Sequence, residues 1–293
     1  MSHILRKHNY GYMQLFPIPS EEETRKFYED EYYKEIKDGS GKPDQLNKFV
    51  SGGAEADAER KWLYNTLYAD VLFALNGFAP GKTFLDVGCG TGELVKYLNK
   101  NGLSGRGIEP SADATRIACS NGIDVHNHSI ESYISTNPQD VHAVIMLNVL
   151  EHVPNPLGMI SMARSLLVPG GIFCVVVPNE FTPIQRAAQI ALNRQDDWWV
   201  AIPDHINYFN FESLKTVLDS EGFDVEYLQA DFPMEFFLLM GYNYLDNPEL
   251  GKACHKKRVA LEAALPQDER RKICQSFARA GIGRACFMVG RKT

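Results

Sequence analysis

The chain has 293 residues, a hydrophobic content of 44% and a formal net charge of −7 at neutral pH. This length allows one large domain or two small ones, with a complete hydrophobic core. The acidic balance disfavours a nucleic-acid partner, for which a basic surface is expected. The sequence has no apolar run that suits a signal peptide or a membrane span, so we expect a cytoplasmic protein without a membrane span.

The six cysteines form no C-x-x-C pair and are spread over most of the chain. A disulfide framework is typical of short secreted proteins, and this chain is much longer. We therefore expect six reduced thiols, which agrees with a cytoplasmic location.

The first 79 residues precede any regular alternation of strands and helices. Residues 1–19 combine aromatic residues and prolines, and we expect them to be irregular. The run from Ser20 to Glu23 is a capping box that predicts a helix start. This helix contains Tyr28 and Tyr33. We interpret residues 1–79 as a helical lid with both tyrosines near a ligand; simple packing of the tyrosines on the core is the alternative.

A longer helix is predicted from about residue 54 to 76, because apolar residues recur there at helical spacing. Strands and helices then alternate from Pro80 onwards, which predicts a second, α/β unit over residues 80–293. The predicted strands are 83–87, 105–109, 123–127, 141–147, 172–177, 223–228 and 285–289.

The clearest motif follows the first of these strands. Gly88-Cys89-Gly90-Thr91-Gly92 connects a short apolar strand to a helix. Glycines allow positive φ and close approach of a ligand, and the helix start offers free N–H groups. Dinucleotides and S-adenosylmethionine (SAM) both bind to such units, but the dinucleotide pattern is G-x-G-x-x-G. Asp86, at the end of the strand, would repel a pyrophosphate and suits the ammonium group of a methionyl ligand.

Glu109 stands at the end of the second predicted strand. A carboxylate in this position can accept both hydroxyl groups of a ribose. Nicotinamide enzymes use the same device, so Glu109 indicates a ribose rather than SAM in particular. Together with Asp86 and the glycines, it predicts a nucleoside-binding site.

These motifs carry a family resemblance. Residues 86–92 resemble the first motif of class I SAM-dependent methyltransferases. Asn148-Val149-Leu150-Glu151-His152-Val153 and the later run Leu167-Val168-Pro169-Gly170-Gly171 look like the fourth and fifth segments of small-molecule methyltransferases. The similarity is to ubiquinone-biosynthesis-like enzymes and to methyltransferases of sugar and surface-polysaccharide pathways. It covers roughly residues 80–180.

The resemblance implies an α/β fold with a Rossmann-like, mostly parallel seven-stranded sheet, an antiparallel last strand and helices on both faces. It implies SAM as cofactor and S-adenosylhomocysteine as product. Ile130 would stack on the adenine, and Ser129 would lie near its amino group. The expected cofactor-binding residues are Asp86, Gly88, Cys89, Gly90, Glu109, Ser129, Ile130 and Asn148.

Methyl transfer needs orientation, exclusion of water and often a base. The predicted catalytic residues are His205, His152 and Tyr208. His205 is the first candidate base, with Asp204 beside it and Tyr208 nearby, because histidine titrates near neutral pH. A structural role for His205 in its loop is the alternative. His152 is the second candidate, and pinning the loop after the fourth strand is its alternative role.

Some ubiquinone-type relatives are described as binding a divalent metal in the segment that contains Glu151 and His152. This chain has Asn148 where an acid would be wanted, so we predict no metal. The run from Asn148 also lacks the Asn/Asp-Pro-Pro-aromatic pattern of enzymes that methylate amino groups of DNA bases.

Residues 231–282 contain an apolar, aromatic stretch followed by a charged helical one. We interpret them as a helical cap over the acceptor, inserted before the last strand; a dimer contact or plain core is the alternative. The predicted function is methyl transfer to an oxygen or carbon of a small-molecule acceptor. A homodimer is compatible with this prediction. A non-catalytic SAM-binding protein and a nicotinamide-dependent oxidoreductase are the competing hypotheses.

Overall fold

The computed structural model describes residues 3–26 and 53–293 of the chain. The strands in this part of the chain are β1 (Ile4–Lys7), β2 (Met13–Phe16), β3 (Thr83–Val87), β4 (Ser104–Ile108), β5 (Val125–His126), β6 (Val141–Leu147), β7 (Leu167–Pro178), β8 (Asn207–Tyr208), β9 (Phe223–Gln229) and β10 (Ala285–Lys292). They form a seven-stranded sheet with the order β5-β4-β3-β6-β7-β10-β9 and a three-stranded sheet with the order β1-β2-β8.

The helices in the same part of the chain are α1 (Glu21–Lys26), α2 (Ala54–Asn65), α3 (Leu67–Phe78), α4 (Glu93–Lys100), α5 (Ala112–Ser120), α6 (Ile130–Ile134), α7 (Pro156–Ser165), α8 (Pro183–Ala191), α9 (Phe211–Ser220), α10 (Glu235–Leu239), α11 (Pro248–Ala264) and α12 (Gln267–Arg279). A short 3₁₀ turn spans Leu150–His152. Among the described residues, no helix is both long enough and apolar enough to cross a bilayer.

The seven-stranded sheet has the predicted topology. Strands β3 to β7 pair in parallel, and β10 pairs antiparallel with both β7 and β9. Chain order reverses beside β3, because β4 lies on one side of it and β6 on the other. Open α/β sheets bind ligands at the carboxyl ends of the strands at such a switch point. The glycine loop after β3 lies at this point.

The core has two layers because alternate residues of a strand point to opposite faces of the sheet. In β7, Phe173 and Val175 belong to the cluster on one face. Cys174 and Val176 belong to the cluster on the other face. Both faces are therefore covered, as continuous apolar strands predict.

The structure corrects the prediction for the N-terminal residues. Residues 1–19 were expected to be irregular, but residues 4–16 form a hairpin of β1 and β2. The hairpin pairs with β8, which lies about 190 residues further along the chain. This pairing has no local signal, so sequence periodicity did not detect it. Tyr28 and Tyr33 lie outside the described residues.

The predicted helix over 54–76 and the predicted start of the fifth strand also differ from the structure. The helix expected over 54–76 consists of α2 and α3, which are separated at Thr66, where φ is −123° and ψ is −98°. The Thr66 hydroxyl donates to the carbonyl of Trp62, 2.8 Å away. Strand β7 begins five residues before the expected strand, and its pairing with β6 shifts register between Val141 and Ala143.

The predicted insertion before the last strand is helical and contains α10, α11 and α12. Buried polar contacts join it to the helices before the sheet: Glu262 accepts from Trp62 Nε1 at 2.6 Å, and Arg270 pairs with Asp70. These contacts hold α11 and α12 against α2 and α3. Its role as a cap over an acceptor stays a prediction.

Candidate active site

The glycine loop has the conformation that its sequence predicts. Gly88 and Gly90 have φ values of 72° and 54°, in the left-handed region that favours glycine. A Cβ atom on Gly88 would lie 2.8 Å from Cγ2 of Val149, so this position has no room for a side chain. Gly90 has no described atom within 4 Å of its ideal Cβ position. The loop therefore packs closely at Gly88 and leaves room for a ligand at Gly90.

Asp86 and Glu109 meet beside this loop because β3 and β4 are adjacent parallel strands. Both side chains are buried, with 3% and 5% of their surface exposed. Glu109 accepts hydrogen bonds from the N–H of Gly90 at 3.0 Å and of Ser111 at 2.8 Å. Burial, together with the charge of Glu109, raises the pKa of Asp86 to about 8. A cation bound beside Asp86 would offset this cost.

Cys89 contributes to the loop through its backbone. Its N–H donates to the carbonyl of Ile108 at 3.2 Å. Burial raises the pKa of its thiol, so the side chain is a neutral thiol rather than a reactive thiolate. All six cysteines are free, in agreement with the prediction of reduced thiols.

Ser129 and Ile130 lie at the start of α6. Ser129 is the N-cap, and its hydroxyl accepts from the N–H of Ser132 at 3.3 Å. Ile130 is only 2% exposed and packs in the core. Ile130 is a core residue in this structure, and its stacking on an adenine stays a prediction. The proximity of Ser129 to an adenine stays a prediction.

Asn148 follows the last residue of β6, where the sequence places it. It is exposed, its φ is 54°, and its N–H donates to the carbonyl of Val176 at 2.8 Å. The next residue, Val149, packs against Gly88. The segment after β6 is therefore in contact with the glycine loop.

A second group of polar side chains lies at the ends of β6 and β7 and in the loop before β8. His152 and His205 pack edge to face, with their ring centroids 5.0 Å apart. Glu151 Oε1 lies 3.7 Å from His152 Nε2, and Glu180 Oε1 lies 3.5 Å from His205 Nδ1. We call Glu151, His152, Glu180, Asp204 and His205 the histidine–acid cluster.

Charges in this cluster are strongly coupled. Burial raises the pKa values of Glu151 and Glu180. Burial lowers the pKa of His152, but Glu151 and Asp204 outweigh this effect and raise it to about 9. His152 is therefore the charged partner of the nearby acids at neutral pH.

Three atoms of the cluster are buried and make no hydrogen bond within the described part of the chain: Glu151 Oε2, Glu180 Oε2 and His205 Nδ1. A buried polar atom without a partner is costly. Such atoms are typical of sites that a ligand completes.

The structure also bears on the predicted absence of a metal. Glu151, His152 and His205 each offer one ligand atom, and these atoms lie within 4.8 Å of one another. Two imidazoles and one carboxylate suit zinc or another transition metal better than magnesium. The side chains thus fit a metal ion, whereas the departure at Asn148 argued against one. The absence of a metal stays a prediction.

Tyr208 and Asp204 have different surroundings from those expected. Tyr208 is 1% exposed, its hydroxyl donates to the carbonyl of His205 at 3.0 Å, and burial raises its pKa. Its hydroxyl thus supports the loop in this structure, and its catalytic role stays a prediction. The backbone carbonyl of Asp204 lies 2.9 Å from His152 Nδ1. Its carboxylate is 4.0 Å from His205, further away than that of Glu180.

Sequence reasoning missed Glu180. It is 6% exposed and lies two residues after the end of β7. The rule that ligands bind at carboxyl ends of parallel strands applies to this position as it does to Asn148. The following residue, Phe181, has a φ of 59°, which is strained for a bulky side chain. Strain of this kind is common at functional sites.

A family model described as a methyltransferase domain matches residues 59–228. The ubiquinone biosynthesis O-methyltransferase of Sodalis glossinidius is 31% identical over 140 residues, which are 44% of this chain and 56% of that protein. The mitochondrial ubiquinone biosynthesis O-methyltransferase of Rattus norvegicus is 28% identical over 201 residues, which are 64% of this chain and 57% of that protein. The chain thus spans a little more than half the length of these relatives.

Solved structures are similar in fold at low sequence identity. The magnesium protoporphyrin IX methyltransferase of Synechocystis, with bound S-adenosylhomocysteine, aligns with a TM-score of 0.54 at 12% identity, covering 94% of this chain and 100% of that one. A SAM-dependent methyltransferase from Archaeoglobus fulgidus aligns with a TM-score of 0.51 at 16% identity, covering 80% and 97%. These similarities support the fold described above.

Proposed function

Because the chain belongs to the methyltransferase-domain family, as a class I SAM-dependent member, we propose that it transfers a methyl group from SAM to a small-molecule acceptor. The observation that carries the proposal is the meeting of Asp86 and Glu109 beside the glycine loop. The histidine–acid cluster lies after β6 and β7, at the same edge of the sheet. A cofactor cradle and a group of titratable side chains therefore share one face of the molecule.

We call Asp86, residues 88–90 and Glu109 the cofactor half of the site, and each group in it has one proposed role. Asp86 pairs with the methionyl ammonium, and this opposite charge offsets the cost of burying the carboxylate. Glu109, already oriented by Gly90 and Ser111, accepts hydrogen bonds from the ribose hydroxyls. The backbone of residues 88–90 would hold the methionyl chain. Asn148, Ser129 and Ile130 complete the proposed set.

We call the histidine–acid cluster the transfer half of the site, because it would orient the acceptor and supply a base. SAM, when bound, brings an activated methyl carbon and a sulfide leaving group. His205 takes the acceptor proton; since its Nδ1 faces Glu180, Nε2 is the accepting nitrogen. His152, held charged by Glu151 and Asp204, attracts the developing negative charge on an acceptor oxygen.

The relatives support an oxygen acceptor, because they are named O-methyltransferases of ubiquinone biosynthesis. The net charge of −7 favours a small molecule over a nucleic acid. A cytoplasmic location, which the free cysteines support, and a homodimer belong to the proposal as well.

The first experiment is calorimetric titration of the purified protein with SAM, with S-adenosylhomocysteine and with NAD. We expect micromolar binding of both sulfur compounds at one site and no binding of NAD. Absence of SAM binding, in protein shown to carry no ligand from purification, would contradict the proposal. Binding of NAD instead would favour the nicotinamide hypothesis.

The second experiment separates catalysis from binding alone. SAM with a labelled methyl group is incubated with panels of phenols, catechols and nucleotide sugars, and transferred label is counted. We expect transfer to at least one oxygen-bearing acceptor. Tight SAM binding with no transfer to any class would favour the non-catalytic alternative.

A further inference from the structure

The N-terminal hairpin lies against the loop that carries His205. Strand β2 pairs with β8, with Gln14 opposite Asn207. Just outside this pairing, the N–H of Leu15 donates to the carbonyl of Ile206 at 2.9 Å. Leu15 is fully buried and packs on Ile206 and Tyr208. Backbone and apolar contacts therefore join the hairpin to the residues that directly follow His205.

Asn207 links this hairpin to the turn that carries Glu151 and His152. Its side chain is fully buried, and Nδ2 donates to the carbonyls of Leu150 at 2.8 Å and Val153 at 2.7 Å. These two carbonyls flank the pair Glu151 and His152. The amide group thus holds both ends of the turn.

The oxygen of this amide accepts a hydrogen bond from the hairpin. Gln14 Nε2 donates to Asn207 Oδ1 at 2.7 Å. An Asn amide carries its acceptor on one side and its two donors on the other. A donor at Oδ1 therefore fixes which side of the amide faces Leu150 and Val153. The neighbouring N–H of Ile206 donates to the carbonyl of Glu151 at 2.7 Å and joins loop and turn a second time.

We infer that the hairpin of β1 and β2 is a positioning element of the methyl-transfer site, and that it acts through the Gln14–Asn207 amide pair. The inference rests on the proposed function, because it concerns the alignment of His152 and His205. Neither Gln14 nor Asn207 belongs to the proposed set of reacting groups. A displacement of reacting groups by about 1 Å can lower a rate about 100-fold, so a remote contact of this kind has a measurable effect.

The test uses substitutions at Gln14, which is half-buried and lies at the edge of the network. Gln14→Met keeps the length of the side chain and removes the donor. Gln14→Lys keeps a donor and is the rescue variant. Arg6→Met is the matched control. Arg6 is the cross-strand partner of Gln14, and this substitution introduces methionine in the same hairpin without changing the contact between Gln14 and Asn207.

The first readout is the NMR spectrum of the histidine rings, assigned with His152→Gln and His205→Gln. In Gln14→Met we expect the signals of His152 and His205 to shift and broaden. In Gln14→Lys and Arg6→Met we expect both signals at their wild-type positions. His142 serves as an internal reference, since its ring contacts Thr83 at the opposite edge of the sheet.

The second readout is a comparison of binding with turnover. Calorimetry should show SAM affinity within about twofold of wild type in all three variants, because none contacts the cofactor half. With an acceptor from the panel, kcat of Gln14→Met should fall about tenfold while KM for SAM stays constant. Gln14→Lys should recover most of this loss.

Unchanged ring signals in a folded Gln14→Met protein would overturn the inference and leave the proposed function intact. Equal damage by Arg6→Met, or loss of SAM affinity together with turnover, would also overturn it, because the hairpin would then act on the fold as a whole. Should Gln14→Met not fold, Gln14→Glu removes the same donor with nearly the same shape and takes its place. A failure of the proposed function looks different: wild-type protein would bind no SAM.

Discussion

The cofactor half and the transfer half of the site lie at the same edge of the sheet but are assembled differently. Asp86, the glycine loop and Glu109 belong to one continuous stretch, the unit formed by β3, α4 and β4. The histidine–acid cluster is drawn from three separate segments, after β6, after β7 and before β8. Its loop is braced in addition by a hairpin near the start of the chain.

This difference predicts how each half responds to change. A cradle built from adjacent strands depends mainly on the residues that touch the ligand. A cluster built from distant segments depends also on contacts that only set its geometry. Substitutions in the first half should therefore alter SAM affinity, and substitutions in the second should alter turnover at constant SAM affinity.

The largest expected effect is on turnover. His205→Gln removes the proposed base, and kcat should fall about a thousandfold, within the usual range for loss of a general base. SAM affinity should remain within about twofold of wild type. His142→Gln, at the opposite edge of the sheet, is the control. Wild-type kcat in His205→Gln would remove this histidine from the mechanism and leave the cofactor half untouched.

Asp86→Asn should have the next largest effect, this time on binding. Above pH 8, where Asp86 is ionised, it removes the charge that pairs with the methionyl ammonium, and SAM affinity should fall about 100-fold, as for other buried charge pairs that lose one partner. Calorimetry should compare the SAM affinity of this variant with that of Asp124→Asn, because Asp124 is an exposed acid beside β5 and serves as the control. A loss of twofold or less in Asp86→Asn would show that the cradle is wrongly assigned.

The effect of pH on SAM affinity should be smaller than these two effects and should come from Asp86 in the cofactor half. The pKa of Asp86 is raised to about 8 from its ordinary value of 3.8, so the carboxyl is protonated at neutral pH. Only the ionised form pairs with an ammonium, so affinity should rise about tenfold per pH unit below 8 and level off above it. Asp86→Asn should flatten the profile. A flat profile in wild type would contradict the assignment.

The same shift affects stability, with the opposite sign. A raised folded-state pKa means that the folded protein binds the proton more tightly than the unfolded chain does. The contribution of Asp86 to the free energy of unfolding is therefore fully present below pH 4 and is lost as the pH rises towards 8. Bound SAM should reduce this loss.

The smallest expected effect distinguishes two acids of the transfer half. Glu180→Gln should lower kcat about tenfold, because Glu180 is the nearer acid to His205 Nδ1. Asp204→Asn should lower it less, since the Asp204 carboxylate lies 4.0 Å from this histidine. Both variants should bind SAM as wild type does. A larger effect of Asp204→Asn would show that Asp204, as expected from the sequence, is the partner of His205 rather than Glu180.

Much of the sheet was predictable because its strands carry strong local signals. Strand β6 has the predicted bounds, and β3 does as well, since buried parallel strands are continuous apolar runs closed by polar or glycine residues. Strands β1, β2 and β8 were missed because they are four residues long or shorter, and their pairing partners are distant in sequence.

The candidate site divides in the same way. Asp86 and Glu109 were predicted because a strand–loop–helix unit places them at a known spacing. The structure brings them together beside the glycine loop, and their role in binding SAM stays a prediction. Glu180 was missed. The catalytic role of Tyr208 stays a prediction, and its buried hydroxyl donates to the carbonyl of His205. Proximity along the chain suggested Asp204 as the partner of His205, whereas distance in space favours Glu180.

The sequence by itself determined the succession of strands along the chain, the glycine loop and the family resemblance, because these depend on residues close together in the chain. Only the tertiary structure decided which acid faces which histidine, and that a hairpin near the start of the chain supports the loop of His205. Contacts of this kind depend on how distant segments pack, and burial rather than spacing then sets the charge and the partners of each side chain.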